Sequence, residues 1–164
     1  MIDPTVRPAT AADVPQLAWL EREARSALLD QRGGVRWLLD HPERSGRWLS
    51  VVGEEATWVA HIDEVVVGYL VVDFVDDLVR IAEVYVSPEA RQLGFGDELL
   101  AAAMLSARRR GSRTLDAEAL PGDRNTKNLY ERAGIKARLI TVSTPLEPVS
   151  SGGDCSGAPF SPNQ

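Results

Sequence analysis

Cysteine is almost absent from this sequence, which has one, Cys155, in 164 residues. A single cysteine excludes an internal disulfide and a cysteine-cluster metal site. The two histidines, His41 and His61, have no ligand partners at metal spacing, so no metal centre is expected. No apolar run approaches the ~20 residues of a membrane-spanning helix. A Gly-Lys-Ser or Gly-Lys-Thr sequence is also missing, which excludes a P-loop.

Basic residues are fewer than acidic ones: the chain has 18 Lys and Arg residues and 24 Asp and Glu residues, which give a net charge of −6. An acidic protein does not attract nucleic acid through general electrostatics, so a nucleic-acid partner is not expected. The first residues, 1–5, lack the basic and then apolar layout of a signal peptide. These features predict a cytoplasmic protein without a membrane partner.

Apolar residues make up 44% of the chain, enough for the core of one domain. We expect a domain over residues 1–146 and a Ser/Gly/Pro-rich polar tail over 147–164. Apolar periodicity predicts an α+β fold with a central mixed sheet of six to seven strands and about four helices. The strands are expected near residues 5–8, 58–62, 65–74, 78–86, 114–119 and 135–144, with a further short one at 48–52. The three strands between residues 58 and 86 are joined by tight polar turns and should form an antiparallel meander. The helices are expected near residues 13–29, 35–39, 97–110 and 126–133.

A glycine-rich loop, Arg-Gln-Leu-Gly-Phe-Gly at residues 91–96, lies between a predicted strand and a predicted helix. Glycines allow close approach of the backbone to a ligand, and a helix that begins there adds unpaired N–H groups and a positive dipole end. This arrangement favours phosphate and predicts a diphosphate-bearing ligand. Leu99 stands where the dinucleotide fingerprint requires a third glycine, so NAD is not expected. Taken alone, the loop also fits a tight turn that needs glycine only for positive φ.

Three sequence blocks together resemble the GNAT N-acetyltransferase superfamily. They are Val-Tyr-Val-Ser-Pro at 84–88, Arg-x-x-Gly-x-Gly at 91–96, and Leu-Tyr-Glu-Arg-Ala-Gly-Ile at 129–135. The resemblance covers residues 5–146 and is strongest from 81 to 135. It departs from the family at Gln92 and Leu93, where many members have glycine and a basic residue, and at Asp123, where many have asparagine.

The resemblance implies an acetyl-CoA cosubstrate, with the first block beside the pantetheine arm and the second on the pyrophosphate. The cofactor-binding residues that it implies are Val84, Tyr85, Val86, Arg91, Gln92, Leu93, Gly94, Phe95, Gly96, Asp97, Asn125 and Asn128. It also implies a catalytic acid, Tyr130, near the thioester sulfur. For the base we favour Glu83, directly or through a water, with Glu118 and Asp116 as competitors.

The function expected from these residues is acetyl transfer from acetyl-CoA to a primary amine by direct attack. The acceptor is a small molecule or a peptide, and pairing into a homodimer stays open. One alternative is a non-catalytic acyl-CoA-binding module that regulates a partner. Another is O-acetylation, or transfer of a longer acyl group, on the same scaffold.

Overall fold

The structure is a computed structural model that describes residues 4–53 and 55–146. A five-stranded sheet lies between two layers of helices. The strands are β1 (Thr5–Pro8), β2 (Thr57–Ile62), β3 (Val65–Val75), β4 (Leu78–Val86) and β5 (Thr114–Ala117). The helices are α1 (Val14–Leu28), α2 (Gly34–Asp40), α3 (Trp48–Val51), α4 (Phe95–Arg109) and α5 (Arg124–Arg132). Short 3-10 turns occupy Ala11–Asp13, Ser45–Arg47 and Pro88–Ala90.

The strands follow chain order in the sheet, from β1 to β5. The first four pair antiparallel, and β5 pairs parallel with β4 after the α4 crossover. Tight turns at Asp63 and Asp76, both with positive φ, join β2 to β3 and β3 to β4. The predicted mixed sheet and antiparallel meander are therefore confirmed.

A separate apolar core fills each face of the sheet. The α4 core packs α4 and α5 on one face around Phe95, Leu99 and Leu100. The α1 core packs α1 and α3 on the other face around Leu17 and Trp48. Because both faces are covered, the central strand β3 is buried along most of its length.

Two predicted strands are wrong, so the sheet has five strands where six to seven were expected. Residues 48–51 are helical and Val52 caps them, because Trp48 and Val52 turn inward one helical turn apart while Leu49 is 64% exposed. Residues 135–144 alternate like a strand but pair with no strand of the described chain. A strand needs a partner edge as well as an alternating pattern. The α3 helix raises the helix count to five, where about four were expected.

The predicted tail, 147–164, lies outside the described residues. Within 4–53 and 55–146, no helix is long and apolar enough to cross a membrane.

An ion pair fixes the corner between β1 and α1. The Arg7 guanidinium donates to both carboxylate oxygens of Asp13, at 2.7 and 2.8 Å. Asp13 also accepts from the main-chain N–H and the hydroxyl of Thr10. These hydrogen bonds, led by the one from Arg7, outweigh burial and lower the pKa of Asp13 from 3.8 to about 2.

An Asp13→Asn substitution tests this corner. Because folding lowers the pKa of Asp13, its charged carboxylate stabilises the folded state above pH 3.8. This stabilisation disappears as the pH falls through about 2 and the folded protein binds the proton. Arg7 is partly exposed, so we expect the variant to lose about 1 to 2 kcal/mol at pH 6. Urea unfolding should show the gap between parent and variant closing toward pH 2. Asp40→Asn, which breaks an exposed pair with Arg36, is the control and should cost about 0.5 kcal/mol or less. A gap that is equal at pH 6 and pH 2 would contradict the assignment.

Candidate functional site

Strand β4 carries a β-bulge at Ala82. Two consecutive residues of β3 pair with Glu83 and Ile81, so Ala82 is an extra residue on β4. Ile81 packs in the α4 core, and strict alternation would place Glu83 in that apolar core as well. The bulge turns the Glu83 carboxylate to the opposite face, where it meets Arg44.

The bulge also marks the point where β4 and β5 separate. β5 pairs with β4 only from Leu78 to Ile81. In the described chain, residues 82–86 of β4 have no strand on that side, which leaves a gap that we name the β4–β5 opening. Val84 and Val86 line the α4 side of β4 there. An unpaired strand edge offers N–H and C=O groups to an extended ligand.

The glycine loop ends at the N-terminus of α4, close along the chain to this opening. Gln92 and Gly94 both have positive φ, at 66° and 88°. No main-chain N–H of residues 92–97 donates a hydrogen bond within the described chain, whereas Glu98 donates to the Gly94 carbonyl. Free amides and the positive end of a fifteen-residue helix together suit a phosphate group.

The side chains of this loop differ in burial and in the residues that they contact. Phe95 is buried in the α4 core, whereas Leu93 is 40% exposed. A Cβ on Gly96 would lie 3.4 Å from the Leu129 side chain, an ordinary van der Waals contact, so α5 packs directly against this position of α4. Asp97 holds Arg132 of α5 through two hydrogen bonds of 3.0 and 2.9 Å. The structure thus ties the loop to the helix that carries Tyr130.

Arg91 and Tyr85 face each other beside the opening. The Arg91 guanidinium lies 5.8 Å from the Tyr85 ring centroid, and its Nε donates to the Val86 carbonyl at 3.0 Å. The Tyr85 hydroxyl donates to Glu23 of α1 at 2.6 Å. The Tyr85 side chain therefore belongs to the α1 face, and only its main chain faces the opening.

Asn125 and Asn128 are exposed on α5. Asp123 begins that helix as its cap: its carboxylate accepts from the Thr126 N–H at 3.0 Å and from the Thr126 hydroxyl at 2.6 Å. Many members of the family that the sequence resembles have asparagine at this position, whereas in this chain Asp123 caps the N-terminus of α5.

Tyr130 is buried in the α4 core, in the same cluster as Val84 and Val86. Its hydroxyl has no hydrogen-bond partner among the described residues. Burial raises its pKa above the usual value of 10, and the charges of Asp123 and Glu118 raise it further. The phenol consequently keeps its proton at neutral pH, as a proton donor must.

A buried charge cluster surrounds Glu83 on the α1 face. The Arg44 guanidinium donates to Glu83 and, at 3.0 Å, to Glu21 of α1. Glu21 is fully buried and also accepts from the Arg44 main-chain N–H at 2.9 Å and the Trp48 indole at 2.8 Å. One guanidinium thus serves two carboxylates.

The other candidate bases stand apart from this cluster. Asp116 is an exposed residue of β5, and Glu118 follows that strand with a side chain that is 66% exposed. A carboxylate oxygen of Glu118 lies 3.9 Å from Nε2 of His41. Sequence reasoning missed Glu21 and Arg44; the only sign of them was a glutamate at the buried spacing of α1, four residues after Leu17.

The chain matches the family model described as "Acetyltransferase (GNAT) family" over residues 15–135. A search of curated protein sequences finds no significant match. Among solved structures, an aminoglycoside N-acetyltransferase, AAC(6')-Iy, in complex with a bisubstrate analogue is 17% identical with a TM-score of 0.63. That match covers 87% of this chain and 99% of the other.

Two further structures share the fold. The ribosomal-protein-S18-alanine N-acetyltransferase from Escherichia coli is 19% identical with a TM-score of 0.61, over 80% of this chain and 76% of that one. The PaiA N-acetyltransferase from Thermoplasma acidophilum, in complex with coenzyme A, is 13% identical with a TM-score of 0.68, over 80% and 89%. The predicted α+β fold is confirmed, and the match over residues 15–135 shows that the chain belongs to the GNAT acetyltransferase family.

Proposed function

We propose that this protein transfers an acetyl group from acetyl-CoA to a primary amine by direct attack, without a covalent enzyme intermediate. One observation carries the proposal: residues 92–97 follow the unpaired edge of β4 along the chain and begin α4, and their main-chain N–H groups have no acceptor among the described residues. The amides suit a diphosphate and the strand edge suits an extended pantetheine arm. When bound, acetyl-CoA supplies a thioester whose carbonyl carbon accepts the amine.

In this proposal, residues 91–97 hold the diphosphate and the main chain of Val84, Tyr85 and Val86 lies along the pantetheine. Asn125 and Asn128 are exposed on α5 and contribute at the edge of the same site. Backbone amides make most of these contacts, which is why Gln92 and Leu93 do not disturb the site. A main-chain N–H beyond the bulge polarises the acetyl carbonyl as its oxygen gains charge.

Tyr130 donates the proton that the leaving thiolate needs, and Glu83 receives the proton that the acceptor amine loses. Support for Tyr130 comes from its place in the cluster with Val84 and Val86, which line the α4 side of β4 at the opening. Support for Glu83 comes from the bulge, which turns its carboxylate out of the apolar core. An alkyl ammonium has a pKa of about 10, so the amine must lose a proton before it attacks.

Substitution of Gly94 tests the binding step. Alanine at φ 88° is strained and displaces the loop amides, so calorimetry should show acetyl-CoA and CoA binding at least about tenfold more weakly. Gly111→Ala is the matched control, because Gly111 also has positive φ (81°) but ends α4 far along the helix from the loop. It should cost similar stability, about 1 kcal/mol, with CoA affinity intact. Equal CoA affinities for both variants, or no binding by the folded parent, would contradict the proposal.

Thiol release from acetyl-CoA tests the chemistry, with a panel of an alkylamine, a polyamine, an aminoglycoside, a lysine peptide and a peptide with a free N-terminus. The parent should turn over at least one of them. Tyr130→Phe keeps the packing and removes the proton, so kcat should fall about 10²-fold with an unchanged KM for acetyl-CoA. A variant as fast as the parent would remove Tyr130 from the mechanism. A parent that binds acetyl-CoA but acetylates no amine would instead support the non-catalytic binding module.

The choice of base is tested by Glu83→Gln against Glu118→Gln. Glutamine at 83 keeps the shape of the side chain but cannot take up the amine proton, so kcat should fall about 10²-fold while acetyl-CoA still binds. Glu118 is exposed, and its variant should keep nearly full kcat. Circular dichroism must show both variants folded, because removal of one charge from a buried pair is destabilising. The reverse pattern of rates would assign the base to Glu118.

A further inference from the structure

Main-chain hydrogen bonds close the C-terminal end of α4. The Gly111 N–H donates to the Arg108 carbonyl, and the Ser112 N–H donates to the Ala107 carbonyl, each at 3.0 Å. Gly111 has a φ of 81°, so this pattern is a Schellman cap, which satisfies the last carbonyls of a helix with backbone donors. The arginine side chains at this end are therefore not needed to cap the helix.

The side chains of Arg108, Arg109 and Arg113 are unpaired at this end of α4. Within the described residues they make no hydrogen bond and no ion pair. Other arginines of the same part of the chain do hold carboxylates, namely Arg7, Arg36, Arg44 and Arg132. The helix dipole favours cations in the last turn, but Arg113 lies beyond the cap, on the way into β5. These guanidinium groups therefore carry charge that the described chain does not neutralise.

An open cavity of about 130 Å³ lies between this end of α4 and the start of β5, and we name it the α4–β5 cavity. Arg108 and Arg113 contribute to its lining. The lining also includes four apolar residues of the α4 core, which are Val79, Met104, Ala107 and Leu115. Their positions follow from the fold: Met104, Ala107 and Arg108 share one face of α4, and Val79 pairs with Leu115 across β4 and β5. Cationic and apolar residues thus line the same cavity.

This lining selects a chemical class of ligand. Apolar side chains favour a hydrocarbon group, and guanidinium groups favour a carboxylate, which they can bind through two parallel hydrogen bonds. An amine would be repelled by both arginines, and phosphate would leave the apolar lining without a partner. A single water needs roughly 10 to 15 Å³ of such volume, so the cavity has room for a chain of several carbon atoms.

We propose that the α4–β5 cavity is a second binding site, which takes a carboxylate on a short apolar chain. Arg108 and Arg113 bind the carboxylate, and the apolar residues contact the chain. Such a group occurs in a free aliphatic acid and at the C-terminus of a peptide whose last residue is apolar. The fifteen residues of α4 separate the cavity from the glycine loop by about 20 Å. The inference is therefore independent of the proposed acetyl transfer.

NMR titration of the full-length, isotope-labelled protein tests the site, with pentanoate as the probe. The amide resonances of Arg108 and of residues 112–115 should shift and reach saturation. Acetate lacks the chain, pentanol lacks the charge and phosphate lacks the apolar part, so each should bind at least about tenfold more weakly than pentanoate. Added salt should weaken the binding of pentanoate, because both arginines are exposed and their charge is screened.

Substitution of the lining arginines separates a built site from general surface charge. Arg108→Gln and Arg113→Gln should each weaken the binding of pentanoate at least about tenfold, because each removes a charged donor. Arg109→Gln is the matched control: it removes the same charge from the same helix turn, but Arg109 does not line the cavity. This control should keep the affinity of the parent. All three side chains are exposed and unpaired among the described residues, so the melting temperatures should stay equal.

Two peptides that end in valine, one with a free carboxylate and one with a C-terminal amide, distinguish the two sources of the ligand. Tighter binding of the free-acid peptide than of pentanoate, with no binding of the amide, supports the site and identifies a peptide C-terminus. Tighter binding of pentanoate supports the site and identifies a small aliphatic acid.

Three results would overturn the second site. They are the absence of saturable shifts with pentanoate and the free-acid peptide, equal affinities of the parent and both lining variants, and phosphate binding as tight as that of pentanoate. The titration uses no acetyl-CoA, so a failure of acetyl-CoA to bind contradicts the proposed function alone.

Discussion

The bulge at Ala82 is the constraint on which the rest of the site depends. One extra residue in β4 turns Glu83 out of the α4 core, which strict alternation would have made it enter. The same residue follows the last pair between β4 and β5, so the two strands separate from there. The bulge thus puts a carboxylate on one face and coincides with the start of the unpaired edge of β4. On a regular strand of the same sequence, Glu83 would point into the α4 core.

The charge cluster behind Glu83 has a cost that packing alone does not explain. Glu21 and Arg44 are taken out of water, and apolar residues of equal volume would often be as stable or more so. The arrangement does fix geometry: Arg44 joins α1 to β4 across the segment before α3. Two carboxylates thus share one guanidinium where α1 meets β4.

The sequence predicted the parts of the fold that rest on local patterns. Apolar spacing gave α1 and α4, and polar turns gave the meander from β2 to β4. The glycine loop was visible because its function lies in the backbone conformation that Gly94 permits. The strand prediction for residues 48–52 was wrong because five mostly apolar residues fit a strand as well as a helix. Only the structure shows that the Trp48 indole donates to Glu21 of α1. The strand prediction for residues 135–144 was wrong because an alternating apolar pattern indicates which face of a strand would be buried, but not which neighbouring strand it would pair with.

The side chains around Glu83 could not be predicted for a different reason. Glu21 and Arg44 are far apart in sequence, and Glu83 meets Arg44 only because a bulge, which no residue type in the sequence indicates, turns it to their face. The two ends of the site therefore follow different rules. In the proposed function, main-chain amides bind the diphosphate, so we expect the loop to tolerate side-chain changes. Buried side chains form the acceptor end in the same proposal, where one substitution alters a hydrogen bond directly. A change of acceptor is therefore expected from substitutions at this end of the chain's site and not from substitutions in the loop.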